Sequence, residues 1–140
     1  KKCRHGLRIM LELAGLKGEG TMTLRELAQR EATSEKYLWQ VMSALTSAGL
    51  VRAARGSQGG YRLASAPRSI SLKDMVFALD GPCKLVGTSN MGNSERGVGI
   101  VEGEIWARLE KSIVEHLDGV SLKGLRERCD QRNHEPDYVI

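Results

Sequence analysis

The chain has 140 residues and a mass of 15.4 kDa, enough for one domain or one domain with a short appendage. Hydrophobic residues make up 41% and charged residues 27%, and no run approaches the ~18 apolar residues of a transmembrane helix. The opening residues do not show the pattern of a signal peptide. The three cysteines, Cys3, Cys83 and Cys129, are odd in number and far apart, which predicts a reduced, cytoplasmic protein without a disulfide framework.

Positive charge is concentrated in the first half of the chain. Residues 1–70 contain 12 Lys/Arg and 5 Asp/Glu, whereas residues 71–140 contain 9 and 12. No acidic residue occurs between Glu35 and Asp74. This interval holds six basic residues: Lys36, Arg52, Arg55, Arg62, Arg68 and Lys73. Such a stripe suits a polyanion, nucleic acid above all. An ordinary solvated surface explains this charge distribution equally well. The spacing of apolar residues is therefore needed to distinguish the two interpretations.

Three helices are predicted before residue 50. Apolar residues recur at helical spacing over 7–14. A capping box formed by Thr23 and Glu26 begins a short second helix over 24–31. Ser34 is the expected N-cap of a third, amphipathic helix. A short helix, a tight turn and a second amphipathic helix are the sequence form of a helix-turn-helix.

A β-hairpin is predicted directly after the third helix. Two alternating runs, residues 50–55 and 60–64, flank a glycine-rich turn. A hairpin in this position is the wing of a winged helix. Its arginines are Arg52, Arg55 and Arg62. The glycines do not form a phosphate-binding loop, because no helix and no GK[ST] motif follow them.

The second half contains a fourth helix, a loop and a long helix. A capping box at Ser71 and Asp74 opens the fourth helix. Residues 84–103 contain five glycines and no periodicity, which predicts a mobile or ligand-dependent loop. From Glu104 an apolar repeat predicts a helix roughly 22 Å long. A smaller helix should run from Leu122 to about residue 129, followed by an unstructured polar tail.

These elements predict a mainly α protein with a small β-hairpin. We expect a winged helix-turn-helix DNA-binding domain over residues 1–82 and a flexible sensor-type loop over 83–103. A dimerisation helix and a C-terminal tail should occupy 104–140. The dimer contacts would come from an apolar stripe: Ile105, Leu109, Ile113 and Leu117. Packing of this helix within one chain is the alternative.

Several stretches together resemble the Rrf-type bacterial winged-helix regulators. They are 24–28 (LRELA), 37–40 (YLWQ), 48–51 (AGLV), 55–61 (RGSQGGY), 70–74 (ISLKD) and 80–82 (DGP). That family includes the iron–sulfur cluster regulator, the nitric-oxide sensor and the cysteine-metabolism regulator. The resemblance implies a homodimeric, sequence-specific DNA-binding transcription factor, usually a repressor, in the bacterial cytoplasm.

The DNA-contacting residues should lie on the third helix and the wing. On the helix they are Ser34, Lys36, Tyr37, Trp39, Gln40 and Ser43. On the wing they are Arg52, Arg55, Gly56, Tyr61 and Arg62. Gln40 can pair with adenine edges, while Ser34 and Tyr37 should hold phosphates. The resemblance implies that Arg55 enters the minor groove.

Trp39 departs from the family pattern, in which many relatives carry glutamate. Tryptophan cannot accept a hydrogen bond from cytosine, so the base preference at this position should differ. The indole either packs against a thymine methyl or sugar, or covers the edge of the core. The sequence slightly favours the structural interpretation.

The sensor region lacks the family's usual iron–sulfur ligands. Relatives with a cluster use three cysteines between the fourth and the long helix, often with a histidine. Here Cys83 stands at the first position, and no cysteine follows it in the loop. We therefore predict no cofactor and no metal within one chain. Cys83 is an inert residue, a redox- or persulfide-sensitive thiol, or one ligand of a cluster between subunits, completed by Cys3, His5 or a carboxylate.

Two other function classes fit less well. An enzyme is not expected, because no nucleophile stands beside a base and no nucleotide fingerprint is present. A winged helix can also bind proteins, but such a wing has no reason to avoid acidic residues over 36–73. A small ligand ordering the glycine-rich loop is a further effector hypothesis. The expected partners are double-stranded DNA, a second copy of the chain and a redox or small-molecule effector, without a membrane.

Overall fold

A computed structural model describes residues 1–55, 59–85 and 97–134 of the chain. This part contains six α-helices and one two-stranded antiparallel sheet. The elements are α1 Lys2–Ala14, α2 Leu24–Arg30, α3 Glu35–Ser47, β1 Val51–Ala54, β2 Gly60–Leu63, α4 Leu72–Asp80, α5 Gly97–Asp118 and α6 Leu122–His134. A 3-10 turn, Pro67–Ser69, precedes α4. The mainly helical fold with a hairpin after α3 confirms the predicted architecture. Within the described ranges, no helix is long and apolar enough to span a bilayer.

Local caps define the helix-turn-helix. The Thr23 hydroxyl accepts a hydrogen bond from the Glu26 backbone N–H at 3.1 Å, and the Glu26 carboxylate accepts one from the Thr23 N–H at 3.4 Å. Ser34 Oγ accepts the Tyr37 N–H at 3.1 Å at the start of α3. The turn between the two helices passes through Ala32, whose φ of +50° is in the left-handed region. Both capped helices therefore begin where the sequence predicts.

The wing is attached to the segment before α2. Arg52 lies opposite Arg62 in the β1–β2 register. Tyr61 also exchanges two backbone hydrogen bonds with Met22, at 2.7 and 3.0 Å. A Cβ on Gly60 would stand 2.8 Å from the Met22 carbonyl group, closer than real Cβ atoms approach. The absence of a side chain at Gly60 lets the two backbones meet, so the wing is held against the helical core.

The core lies between α1, α3 and α4 and is closed by α2, the wing and α6. Its largest fully buried side chains are Ile9, Met10, Leu27, Leu38, Met42, Leu45, Ile70, Met75 and Leu122. α1 crosses α4 at Gly6, where a Cβ would overlap the Leu79 side chain. Aliphatic and Met side chains fill the interior, as the low aromatic content requires.

The C-terminal helices connect back to the start of α4. The Leu72 N–H donates to the Val120 carbonyl, and the Leu122 N–H donates to the Ile70 carbonyl, both at 2.8 Å. The Leu122 side chain is fully buried in the same core as α1, α3 and α4. The segment between α5 and α6 is therefore joined to the winged helix by backbone hydrogen bonds and by apolar packing.

Two helices begin earlier than predicted. α1 starts at Lys2 instead of near Leu7, so Cys3 and His5 are helical residues with partners and do not fray in solvent. α5 starts at Gly97, so the prediction of a loop as far as residue 103 is wrong for 97–103. Glycines in this first part of α5 lower the helix propensity and hide the periodicity. The rest of the predicted loop, residues 86–96, lies outside the described residues.

The end of the chain is also more helical than expected. α6 continues to His134, beyond the predicted end near residue 129. Ion pairs along the helix, Lys123–Glu127 and Arg126–Asp130, support it without an apolar stripe. The remaining predicted tail, residues 135–140, lies outside the described residues.

Candidate nucleic-acid interface

α3 has one buried face and one exposed face. Leu38, Val41, Met42 and Leu45 are buried in the core. Lys36, Trp39 and Gln40 are exposed, and Ser43 is half-buried one turn further along. These four polar or aromatic residues follow the i, i+3, i+4, i+7 spacing of a single helix face. The exposed stripe therefore has the form of a surface that enters a DNA groove.

Trp39 belongs to this exposed stripe. Its side chain is 58% exposed, although large apolar residues are usually covered in a folded monomer. The interpretation of Trp39 as a residue that covers the core edge is therefore wrong. The core positions of α3 are already filled by its aliphatic residues, so the indole is left for an external contact.

Tyr37 lies on the opposite side of the first turn of α3. Its ring packs edge-on against His5, with 5.5 Å between centroids, and the Lys1 ammonium lies 5.6 Å from the ring centre. The hydroxyl is buried and has no hydrogen-bond partner among the described residues. The predicted phosphate contact by Tyr37 is not supported, because the group that would make it points into the protein.

Ser34 retains a donor for DNA. Its Oγ accepts the Tyr37 N–H at the start of α3, and this bond leaves the hydroxyl hydrogen free to donate. The side chain is exposed. A capping serine at a helix N-terminus is a suitable phosphate contact, because helix N-termini attract anions.

The wing arginines fall into two groups. Arg52 and Arg62 are directly opposite one another, so their side chains share a hairpin face. That face forms an open cleft with the segment before α2, which contributes Glu19, and with the first turn of α2, which contributes Glu26. Arg55 is exposed just beyond β1 and has no ion-pair partner among the described residues.

Glu19 neutralises Arg62 in this cleft. The Arg62 guanidinium donates to the Glu19 carboxylate, and this hydrogen bond together with the positive charge holds the pKa of Glu19 below its usual value. Arg52 lowers the same pKa to a smaller extent. The wing is therefore not the uniformly cationic surface that its sequence suggests. Arg52 and Arg55 have no ion-pair partner among the described residues and, with the α3 stripe, are available to phosphates.

Two other wing residues predicted to contact DNA differ from the arginines. Tyr61 is half-buried against the core and pairs through its backbone with Met22, so its observed role is to support the wing. Gly56 lies outside the described residues, as does the rest of 56–58.

Within the described ranges, the three thiols are not grouped as a ligand set for an iron–sulfur cluster. The Cys3 thiol donates to Asp80 Oδ2 at 2.8 Å, and burial, with this bond and the carboxylate charge, raises its pKa to about 11. A thiol with so high a pKa is a poor metal ligand near neutral pH. Cys83 is half-buried after the end of α4, and Cys129 is on α6. No three His, Cys, Asp or Glu residues in the described ranges are grouped to hold a metal. His5, the other candidate ligand, already contacts Glu31.

α5 presents a long apolar face that the described part of the chain leaves exposed. Ile105, Leu109 and Ile113, three of the predicted dimer residues, are exposed, and Leu117 is half-buried. Val98 and Val101 extend the same side of the helix toward its N-terminus, and Val98 is 85% exposed. These two valines were missed because the sequence predicts a loop there. Their i, i+3, i+7 spacing with Ile105 is the signal that could have revealed them.

Comparison with known proteins places this architecture in a family. The profile described as Rrf2, iron-dependent transcriptional regulator, matches residues 1–128. The chain belongs to the Rrf2 family. The HTH-type transcriptional regulator CymR of Bacillus subtilis is 39% identical over 92% of this chain and 89% of its own length. IscR of Aliivibrio salmonicida is 32% identical over 86% of this chain and 72% of its own length.

Solved structures of Rrf2 proteins have the same fold. That of CymR, described as the global cysteine regulator of B. subtilis, superposes with a TM-score of 0.77 at 38% identity, covering 91% of this chain and 95% of CymR. That of T. potens IscR also gives 0.77, at 33% identity, covering 99% of this chain and 92% of IscR. These relatives are transcriptional regulators and not enzymes. The chain is accordingly a DNA-binding transcriptional regulator with a winged helix-turn-helix.

Substitutions of Trp39 and of Tyr37 should have different effects on DNA binding. In a Trp106→Phe background Trp39 is the one remaining tryptophan, and we expect its emission to change when duplex DNA is added. Trp39→Ala should weaken binding to a selected duplex by about 1–3 kcal/mol, the usual range for a base contact. Tyr37→Phe should leave the affinity within twofold and should not lower the free energy of unfolding, since the lost hydroxyl has no partner. Emission of Trp39 that stays unchanged at saturating DNA would contradict this assignment.

Removing the Glu19 charge should release Arg62. We expect Glu19→Gln to bind random duplex DNA more tightly, with a plot of log affinity against log salt steeper by about 0.9, the slope for one additional phosphate contact. Glu127→Gln is the matched control, because it removes an equal charge from an ion pair on α6. Equal slopes for the two variants would show that Arg62 does not reach phosphates. The measurement is a salt titration of binding.

Proposed function

We propose that the protein is a homodimeric repressor that binds a pseudo-palindromic operator. We further propose that a redox or sulfur-containing effector controls this binding without an iron–sulfur cluster. The observation that carries the proposal is the presence of two exposed surfaces among the described residues. One is the α3 stripe with Arg55, and the other is the exposed apolar face of α5. Because its target is the bacterial chromosome, the protein would act in the cytoplasm.

A second copy of the chain is the partner that best fits the α5 face. α5 has 22 residues and is therefore roughly 33 Å long, and its apolar side is exposed at Val98, Val101, Ile105 and Leu109. A continuous apolar surface of this kind on a soluble regulator marks an association site. In a two-fold dimer the same stripe from each chain would cover the other.

Dimerisation would place two copies of the DNA-contacting surface at a fixed spacing. Two α3 helices related by a two-fold axis can enter successive turns of the major groove, with half-sites about one helical turn apart. Lys36 and Gln40 would face the groove, and Arg55 would follow the backbone into the adjacent minor groove. Occupation of such a site beside a promoter prevents transcription.

Cys83 is the residue that best fits a thiol sensor. Cys3 is held as a thiol by Asp80, with a pKa near 11, so it is a weak nucleophile at neutral pH. Cys83 has no such bond to another described residue and stands between α4 and α5, at the border of the residues that lie outside the described ranges. Peroxide would oxidise its thiolate to a sulfenate, and the peroxide would be reduced to water. A relative described as CymR of Staphylococcus aureus has been seen in an oxidised form.

A charge on the α5 face should prevent association. We expect Ile105→Asp to sediment as a monomer and to lose at least tenfold in affinity for the selected palindrome, because one half-site then binds alone. Lys111→Asp is the control, since Lys111 is exposed on the other side of the helix and its ion pair among the described residues is with Glu115 of the same helix. Sedimentation equilibrium measures both variants. A dimeric Ile105→Asp protein would contradict the proposed interface.

Oxidation should act through Cys83. We expect peroxide to change the operator affinity of the wild-type protein at least threefold and to leave Cys83→Ser unchanged. Cys3→Ser should respond as the wild type does. A response that persists in Cys83→Ser would refute the sensor role. The absorption spectrum of anaerobically purified protein tests the absence of a cluster, and visible bands with stoichiometric iron would overturn that part of the proposal.

A further inference from the structure

We infer that Glu31 is a positioning residue for DNA recognition. It is a buried carboxylate that joins α1 to the turn of the helix-turn-helix and so sets the orientation of α3. The inference deepens the DNA-binding function and rests on it. Neither the sequence analysis nor a contact with DNA points to Glu31. The inference follows from the side chains that surround it.

Glu31 is almost completely enclosed by groups from α1. It is the C-cap residue of α2, and its side chain is only 5% exposed. One carboxylate oxygen lies 3.2 Å from His5 Nδ1, and the other lies 3.1 Å from Arg8 Nε. His5 and Arg8 are three residues apart and so share one face of α1. A buried carboxylate is costly without partners, and here each oxygen has its own.

The same cluster reaches the recognition helix. The His5 ring that contacts Glu31 also packs edge-on against Tyr37, in the first turn of α3. Tyr37 is two residues before Trp39 and three before Gln40. A shift of its ring therefore moves the part of α3 that carries the exposed stripe. Glu31, His5 and Tyr37 form a continuous connection from α2 through α1 to α3.

The turn beside Glu31 requires this support. Ala32, the next residue, has a φ of +50°, a conformation that is unfavourable for any residue other than glycine. Such a conformation persists only where neighbouring contacts enforce it. The fixed carboxylate at the end of α2 is such a contact, because it holds the chain at the point where the turn begins. The angle between α2 and α3 therefore depends on the position of Glu31.

A second ion pair between the same two helices provides a matched control. Glu12 on α1 bonds to Arg30 on α2 at 2.7 Å, but both side chains are exposed, at 39% and 58%. Exposed pairs contribute little to stability, and no hydrogen bond or ion pair among the described residues links this pair to α3. Removal of Glu12 changes the net charge as removal of Glu31 does, without breaking the connection to Tyr37.

The test compares the binding of a selected duplex with that of random duplex DNA. Both affinities are measured on full-length protein well below the unfolding temperature of each variant, with far-UV circular dichroism to confirm folding. We expect Glu31→Ala to lower the ratio of selected to random affinity at least tenfold, because a misoriented α3 still meets phosphates but misses base edges. Glu12→Ala should keep the ratio within twofold. Glu31→Gln should restore it to within threefold, since the amide can accept from Arg8 and donate to His5 in the other tautomer.

His5→Ala extends the test if Glu31→Ala does not fold. It removes the ring between the carboxylate and Tyr37 but keeps the Arg8 pair, and we expect the ratio to fall at least threefold. A wild-type ratio in a folded Glu31→Ala or His5→Ala protein would overturn the inference, as would an equal loss in Glu12→Ala. Failure of the wild-type protein to prefer any duplex over random DNA would instead refute sequence-specific DNA binding itself.

Discussion

The division of α3 into a buried and an exposed face is the constraint on which the DNA-reading surface depends. Leu38, Val41 and Met42 are fully buried in the core shared with α1 and α4, so the helix can neither rotate nor slide without opening cavities there. Trp39 and Gln40 are consequently presented in one orientation. The polar cluster at Glu31 adds a directional restraint to this apolar packing, since hydrogen bonds, unlike apolar contacts, have preferred angles.

The wing is held by a different kind of contact. The backbone pairing of Tyr61 with Met22, which the small Gly60 permits, attaches the hairpin to the segment before α2. That segment also carries Glu19, which places an acidic group beside Arg62. The wing is therefore fixed in position, and its positive charge is partly neutralised by Glu19. A smaller positive charge lowers the affinity for non-specific DNA more than that for a specific site, because non-specific affinity comes mainly from phosphate contacts.

Local signals predicted the elements that depend on neighbours in sequence. The capping boxes at Thr23 and Ser71 placed the starts of α2 and α4 correctly, because each cap is completed within three residues. The start of α5 was not predicted, because the glycines there have a low helix propensity although the segment is helical in the structure. Tyr37 was assigned to the DNA-contacting side because its burial depends on where α1 lies, and for Trp39 the sequence left a DNA contact and a structural role both open. Glu31 was missed because a glutamate in a polar turn gives no sign that another helix will bury it.

The backbone hydrogen bonds between residues 70–72 and 120–122 have a consequence for operator architecture. They join the C-terminal end of α5 to the start of α4, and Leu122 anchors this junction in the core. In a dimer built on α5, the subunit interface would then be joined directly to the winged helix at that end of α5, without a hinge between them. The spacer between half-sites would be set by the crossing angle of the two α5 helices. An effector that alters this angle by a few degrees would displace both α3 helices at once.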